Sequence, residues 1–177
     1  MDRLTKYSIP FAGMAKGNHR LQYDIDDTFF ELFENSVIDK AKIHVDLDFL
    51  KAETVLTLTF HLTGSIRKTC DRCLEEFDIP VDSTQILLVR FGEPGVGETD
   101  DIIVIALSDH HLDVAQHIYD YLSLAIPMRI VHPDDADGNA TCNPEFLEKL
   151  SGSKTDEEDH PVDPRWEALK NLGIRKN

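Results

Sequence analysis

The chain has 177 residues, enough for one domain that buries its own core without disulfide staples. Its 18 Lys and Arg stand against 33 Asp and Glu, a formal charge of -15, which excludes a surface built for non-specific binding of duplex or long bare RNA. Three cysteines exclude a fully paired disulfide scaffold, and no apolar run approaches the roughly 18 residues of a membrane span.

The first residues, Met1-Asp2-Arg3-Leu4-Thr5-Lys6-Tyr7, lack the apolar run of a signal peptide, so the expectation is a cytoplasmic protein whose cysteines stay as thiols or metal ligands. Residues 4–10 and 18–24 read as short strands on either side of a turn region with Gly13 and Gly17. Asp26-Asp27-Thr28 offers a helix start, followed by Phe29, Phe30, Leu32 and Phe33 as its apolar stripe, and Asn35-Ser36 closes it. Apolar residues then alternate through 41–50 and again through 55–62, which predicts a hairpin turning at 51–54. Residues 64–69 extend the second strand to Cys70-Asp71-Arg72-Cys73, and 77–91 is a third long strand, so the cysteines lie where the sheet folds back on itself.

A glycine-rich loop at 92–97 precedes the continuous apolar run 102–107, which reads as a buried strand. From 109 to 126 apolar residues fall at three- and four-residue steps (Leu112, Ala115, Ile118, Tyr119, Leu122, Ile126), with Ser108 or Asp109 as cap, until Pro127 stops the helix. The acidic stretch 151–163 reads as a linker and 164–173 as a terminal helix, begun by Pro164 and anchored by Trp166. The expected fold is α+β: a twisted antiparallel sheet or partial barrel packed with one main helix, residues 1–150 forming the domain, plus a C-terminal helix.

Cys-x-x-Cys places two thiolates in one tight turn, half of a zinc site, and Cys142 with His132 completes a tetrahedral Cys3His set. Four protein ligands leave no open position, which makes such a zinc structural. Thiols without a ligand, or a redox pair, are the alternatives, and His61, His110, His111, His117 and His160 are rival fourth ligands. The redox alternative suits a pair that opens a helix after a strand, whereas here the neighbours alternate as antiparallel strands. Arg67, Lys68 and Arg72 form a compact basic group around the cysteine turn, suited to phosphates or to a partner's carboxylates. The acidic run at Asp134-Asp135-Ala136-Asp137-Gly138 fails as a calcium loop, because the first and last ligand positions fall on Pro133 and Pro144. Neither a phosphate-cradling glycine motif nor a nucleophile with its base is visible.

Three blocks in order resemble the YceD-like large ribosomal RNA subunit accumulation proteins of bacteria and plastids. They are 64–77 around Cys70-Asp71-Arg72-Cys73-Leu74, Leu124-Ala125-Ile126-Pro127 before His132 and Cys142, and Asp163-Pro164-Arg165-Trp166-Glu167-Ala168-Leu169-Lys170. The resemblance implies a role in large-subunit ribosomal RNA production or stability, and it implies no known catalytic activity. Combined with the charge, it leads to the expectation of a non-enzymatic ribosome biogenesis factor that binds a basic ribosomal protein or a pre-ribosomal particle. A thiol-dependent oxidoreductase or a metal-dependent RNA-processing enzyme is the alternative.

Overall fold

The computed structural model describes residues 3–138 and 141–152. After a 3-10 turn at Arg3–Tyr7 come β1 (Ser8–Ile9), β2 (Gly17–Ile25), α1 (Asp27–Phe30), β3 (Lys40–Lys51), β4 (Val55–Thr69), β5 (Glu76–Phe91), β6 (Ile102–Ile105), β7 (Leu112–Asp113), α2 (Ala115–Leu124) and α3 (Pro144–Gly152). Strands β2 to β6 form one sheet in chain order, and β1 pairs with β7 in a separate two-stranded ribbon. The fold is α+β, as its alternating and helical periodicities predict.

The long strands exist because one face of each is apolar at every second residue. Ala41, Ile43, Val45, Leu47 and Phe49 of β3, Leu56, Leu58, Phe60 and Leu62 of β4, and Val81, Leu87 and Val89 of β5 are buried together. Each of the larger side chains in this set contributes about 1.5–3 kcal/mol by leaving water. A one-residue slip would turn all of them outward, so the register is fixed from Lys51↔Leu56 beside the hairpin turn to Lys40↔Arg67 at its far end. Helix α2 covers this face with Ala115, Ile118, Tyr121 and Leu122. Tyr121 stands edge-on to Phe60 at 5.3 Å between ring centroids. Helix α1 is a single turn capped by Asp26, whose carboxylate accepts from the Thr28 amide at 3.1 Å, and Phe29 and Phe33 join its aromatic knot.

Four expectations need correction. Residues 3–7 form a 3-10 turn, leaving two residues of the expected first strand. The run at 102–107 yields only a four-residue strand at the sheet edge, parallel to β5, in which Val104 alone is buried. Its apolar residues are half-buried because no further strand of the sheet covers its outer side among the described residues; Thr99 bridges Ile102 there, and the Val104 amide donates to the Glu98 carboxylate. The main helix is shorter than 109–126, because Leu112 and Asp113 pair with Ile9 and Ser8. Its first turn is capped by Asp113, which accepts from the Ala115 amide at 2.8 Å, while Asp109 is spent on the Ala106 amide. Finally, α3 adds a helix that the periodicity reading passed over, and it takes in residues 151 and 152 of the expected linker. The remainder of that linker and the helix at 164–173 with Trp166 lie outside the described residues.

Candidate metal centre

The β4–β5 hairpin projects beyond the rest of the sheet, and its turn carries Cys70 and Cys73. The Cys70 amide donates to the Glu75 carbonyl at 2.9 Å and the Leu74 amide to the Cys70 carbonyl at 2.9 Å, which folds the turn into a knuckle with both sulfurs on its inner side. Closing it requires a left-handed residue, and Leu74 takes that conformation at φ 61 although it is not glycine.

Two further segments reach the knuckle. Asp71 grips Ile130 twice, its amide donating to the Ile130 carbonyl at 2.7 Å and its carboxylate accepting from the Ile130 amide at 2.8 Å. That clasp sets His132 two residues on, where its ring lies against Phe77 at 4.3 Å between centroids. Asn143 caps α3 by accepting from the Glu145 amide and donates to Glu75 at 2.7 Å, so Cys142 is drawn in from the third segment. Phe77, Val131, Phe146 and Leu147 pack around the sulfurs and keep the cluster dry.

The outcome is a four-donor group, Cys70, Cys73, His132 and Cys142, whose ligand atoms all lie within 4.8 Å of one another. The three cysteines are buried and free. Cys70 Sγ lies 3.8 Å from Cys142 Sγ, Cys73 Sγ 3.4 Å from His132 Nδ1, and Cys142 Sγ 3.7 Å from the same nitrogen. A tetrahedron with Zn–S near 2.3 Å and Zn–N near 2.05 Å has edges of roughly 3.8 Å between sulfurs and 3.5 Å between sulfur and nitrogen. The donor set therefore fits a tetrahedral, thiophilic ion such as zinc.

The local electrostatics favour a thiolate at Cys70. Burial pushes the Cys70 thiol up, but backbone N–H groups of Cys73, Arg72 and His132 directed at its sulfur outweigh burial and hold its pKa at about 6. The Arg72 amide is 3.4 Å from that sulfur. Cys142 is pushed the other way, by burial and then by the neighbouring sulfurs of Cys70 and Cys73. Sulfurs that repel one another's negative charge at this range call for a cation between them.

Of the three basic residues around the turn, Arg67 makes a two-pronged pair with Asp78 at 2.9 and 2.8 Å. Lys68 donates to the Val37 carbonyl at 2.7 Å, and Arg72 points its Nη1 at Cys142 Sγ, 3.9 Å away. Only Arg72 is seen to touch the cysteine cluster, and all three spend part of their hydrogen-bonding capacity inside the chain. Of the rival histidines, His61 lies on the outer sheet face between Asp48 and Thr84, His110 and His111 directly precede β7 and His117 is on α2, none of them in the donor group; His160 lies outside the described residues. The sequence reading missed Asp71, Glu75, Phe77 and Asn143 as supports. Asn143-Pro144, a capping residue followed by a first-turn proline, was the available signal for α3 and its placement of Cys142.

Fold and site together define an α+β sheet protein whose longest hairpin ends in a Cys3His centre. The family model described as Large ribosomal RNA subunit accumulation protein YceD matches residues 58–173, and the chain belongs to that family. No curated protein and no solved structure matches the chain. The family is described by a role in ribosomal RNA accumulation, and its match spans all four donors. No helix among the described residues is long and apolar enough to cross a membrane.

Proposed function

We propose that the chain is a non-enzymatic ribosome biogenesis factor of the cytoplasm that supports large-subunit ribosomal RNA accumulation by binding a ribosomal protein or a pre-ribosomal particle. In this reading a structural zinc ion is held by Cys70, Cys73, His132 and Cys142. The observation that carries the metal assignment is the convergence of four donors from three separate segments at tetrahedral spacing. With four protein donors the ion has no position for water or substrate, so its part is to fasten the hairpin tip to the segments at 130–132 and 142–147.

The family description supports the ribosomal role, and the charge of -15 supports a basic partner in preference to naked nucleic acid. Arg67 and Lys68 near the end of β4 and Arg72 in the cysteine turn are the groups we assign to a partner's carboxylates or to phosphates. The test is affinity purification at low and at high salt, followed by mass spectrometry and RNA sequencing. Recovery of a ribosomal protein or large-subunit precursor that fades with salt supports the reading, and recovery of neither at low salt sinks it.

A further inference from the structure

Among the described residues, the outer side of β5 has no partner strand over most of its length. Strand β6 pairs only with Leu88–Phe91, and among the described residues no strand lies along 76–87 on the side away from β4. The Leu88 amide donates outward to the Asp101 carbonyl at 2.8 Å, which fixes the alternation. With an unbroken register to β4, the backbone groups of Asp78, Pro80, Asp82, Thr84 and Ile86 also face outward. Pro80 agrees with this phase: its missing N–H falls on the open side, where the β4 ladder loses nothing.

This edge has a built interior. The apolar face of β5 is interrupted by Ser83 and Gln85, both half-buried and joined by a 3.1 Å hydrogen bond. Gln85 is the partner of Phe60, and Tyr121 packs on Phe60. The Tyr121 hydroxyl is buried with no hydrogen-bond partner, an arrangement that native interiors seldom leave unanswered. His117, Tyr121 and Leu124 share one side of α2 at helical spacing, and Leu124 is 78% exposed. Among the described residues the edge therefore has unpaired backbone along β5 and two half-buried polar side chains, Ser83 and Gln85, on its core face.

Its charge selects the occupant. Asp82 lies on the open strand, Asp100 and Asp101 stand where β6 begins, and Asp120 lies on α2. Among the described residues none of the four is paired with a cation, whereas Arg67 is already held by Asp78. A second copy adding its own β5 would bring these carboxylates toward one another, at a cost in like-charge repulsion. The opposite edge of the sheet is less available, because Lys6 donates to the Asp24 carbonyl on β2.

We infer that the open side of β5 is a strand-addition site for an extended polypeptide segment rich in lysine and arginine. The added strand takes the outward amides and carbonyls of 78–86, and its basic side chains meet Asp82 on that strand and Asp101 where β6 joins it. The inference gives the partner reading above a place and a mode, and rests on that reading only for the source of the segment.

The test is amide hydrogen exchange by NMR on the full chain, with a nine-residue capped peptide of alternating lysine and valine as the probe. The amides of Asp82, Thr84 and Ile86 should exchange fast in the free protein and slow at least tenfold with the peptide, while those of Val81, Ser83 and Gln85 stay protected throughout. Thr84→Pro removes one outward donor, as Pro80 already does, and should weaken the peptide at least fivefold; if that variant does not fold, Asp82→Lys should do the same. Unchanged exchange at saturating peptide overturns the inference, as does equal binding of a glutamate–valine peptide. Slow exchange of the outward amides in the free chain also overturns it, because the edge would then be taken by the chain itself or a second copy. The test contains no ribosomal material: its failure leaves the partner reading standing, and an empty pull-down beside a protected edge removes the partner reading alone.

Discussion

Gly64 is the position where a single added carbon should do the most damage. It sits inside β4 opposite Ile43, with φ at +146, a conformation that side chains of the L series rarely adopt. A Cβ built there lies 2.1 Å from the Lys42 carbonyl oxygen and 2.9 Å from Ile43 Cα, both backbone atoms of the neighbouring strand. Real Cβ contacts essentially never fall under 3.0 Å, so β3 must move or β4 must change its backbone angles. The angular strain costs about 1–3 kcal/mol and the forced shift of a packed strand about as much again, so Gly64→Ala should lose about 4 kcal/mol. For a chain of this size that is a fall in Tm of roughly 8–16 °C. Urea unfolding followed by far-UV circular dichroism measures it, with Ser65→Ala as the control expected within about 0.5 kcal/mol of the parent. A Gly64→Ala protein as stable as that control would refute the close-approach argument.

Cys73→Ser should lower bound zinc from one ion per chain to a small fraction, read by elemental mass spectrometry. A chelator should depress the Tm of the parent and leave that variant unmoved; equal zinc in both proteins would count against the ligand set. His117 has its pKa held below the usual histidine value by burial, against the opposing pull of Asp120 and Asp113. The unfolded chain therefore binds the proton first, so this residue's effect is nil above its unfolded pKa, costs stability as pH falls below that value, and levels off once pH is below the folded pKa. His117→Gln should flatten the difference in unfolding free energy between pH 7.5 and pH 5, and an unchanged slope would remove His117 as its source. Leu74, left-handed at φ 61 and 67% exposed, carries strain that no burial offsets. Leu74→Gly should stabilise the protein by about 0.5–1 kcal/mol, measured by thermal unfolding, and a loss would show that the leucine is held by contacts after all.

The three long strands were legible because their period-two pattern spans 12 to 16 residues each, long enough that no other periodicity competes. The ends of the main helix were not, because Leu112 fits a helical stripe and a strand equally well, and the choice was made by pairing with Ile9 about a hundred residues earlier. The run at 102–107 misled for a related reason: apolar content reports that a strand has neighbours to pack on, not whether it is central or at the edge. At the metal centre the four donors were legible from residue type and order. What held them together was not, since Asp71 clasping Ile130, Glu75 meeting Asn143 and Phe77 shelving His132 are long-range pairings with no local signature.

The donor set also has a timetable. Cys70 and Cys73 belong to a hairpin made of near neighbours, whereas His132 and Cys142 come from the far side of β6, β7 and α2. At about 5–20 residues per second of synthesis, the thiol pair waits on the order of 3–14 s before Cys142 is even made. During that interval the chain presents a two-sulfur half-site with its flank uncovered, open to a metal ion or an oxidant but not yet to its own third segment. For the proposed zinc site to load, those two sulfurs have to stay reduced until α3 arrives, so the order in which the fold is written would make thiol protection during synthesis part of its assembly.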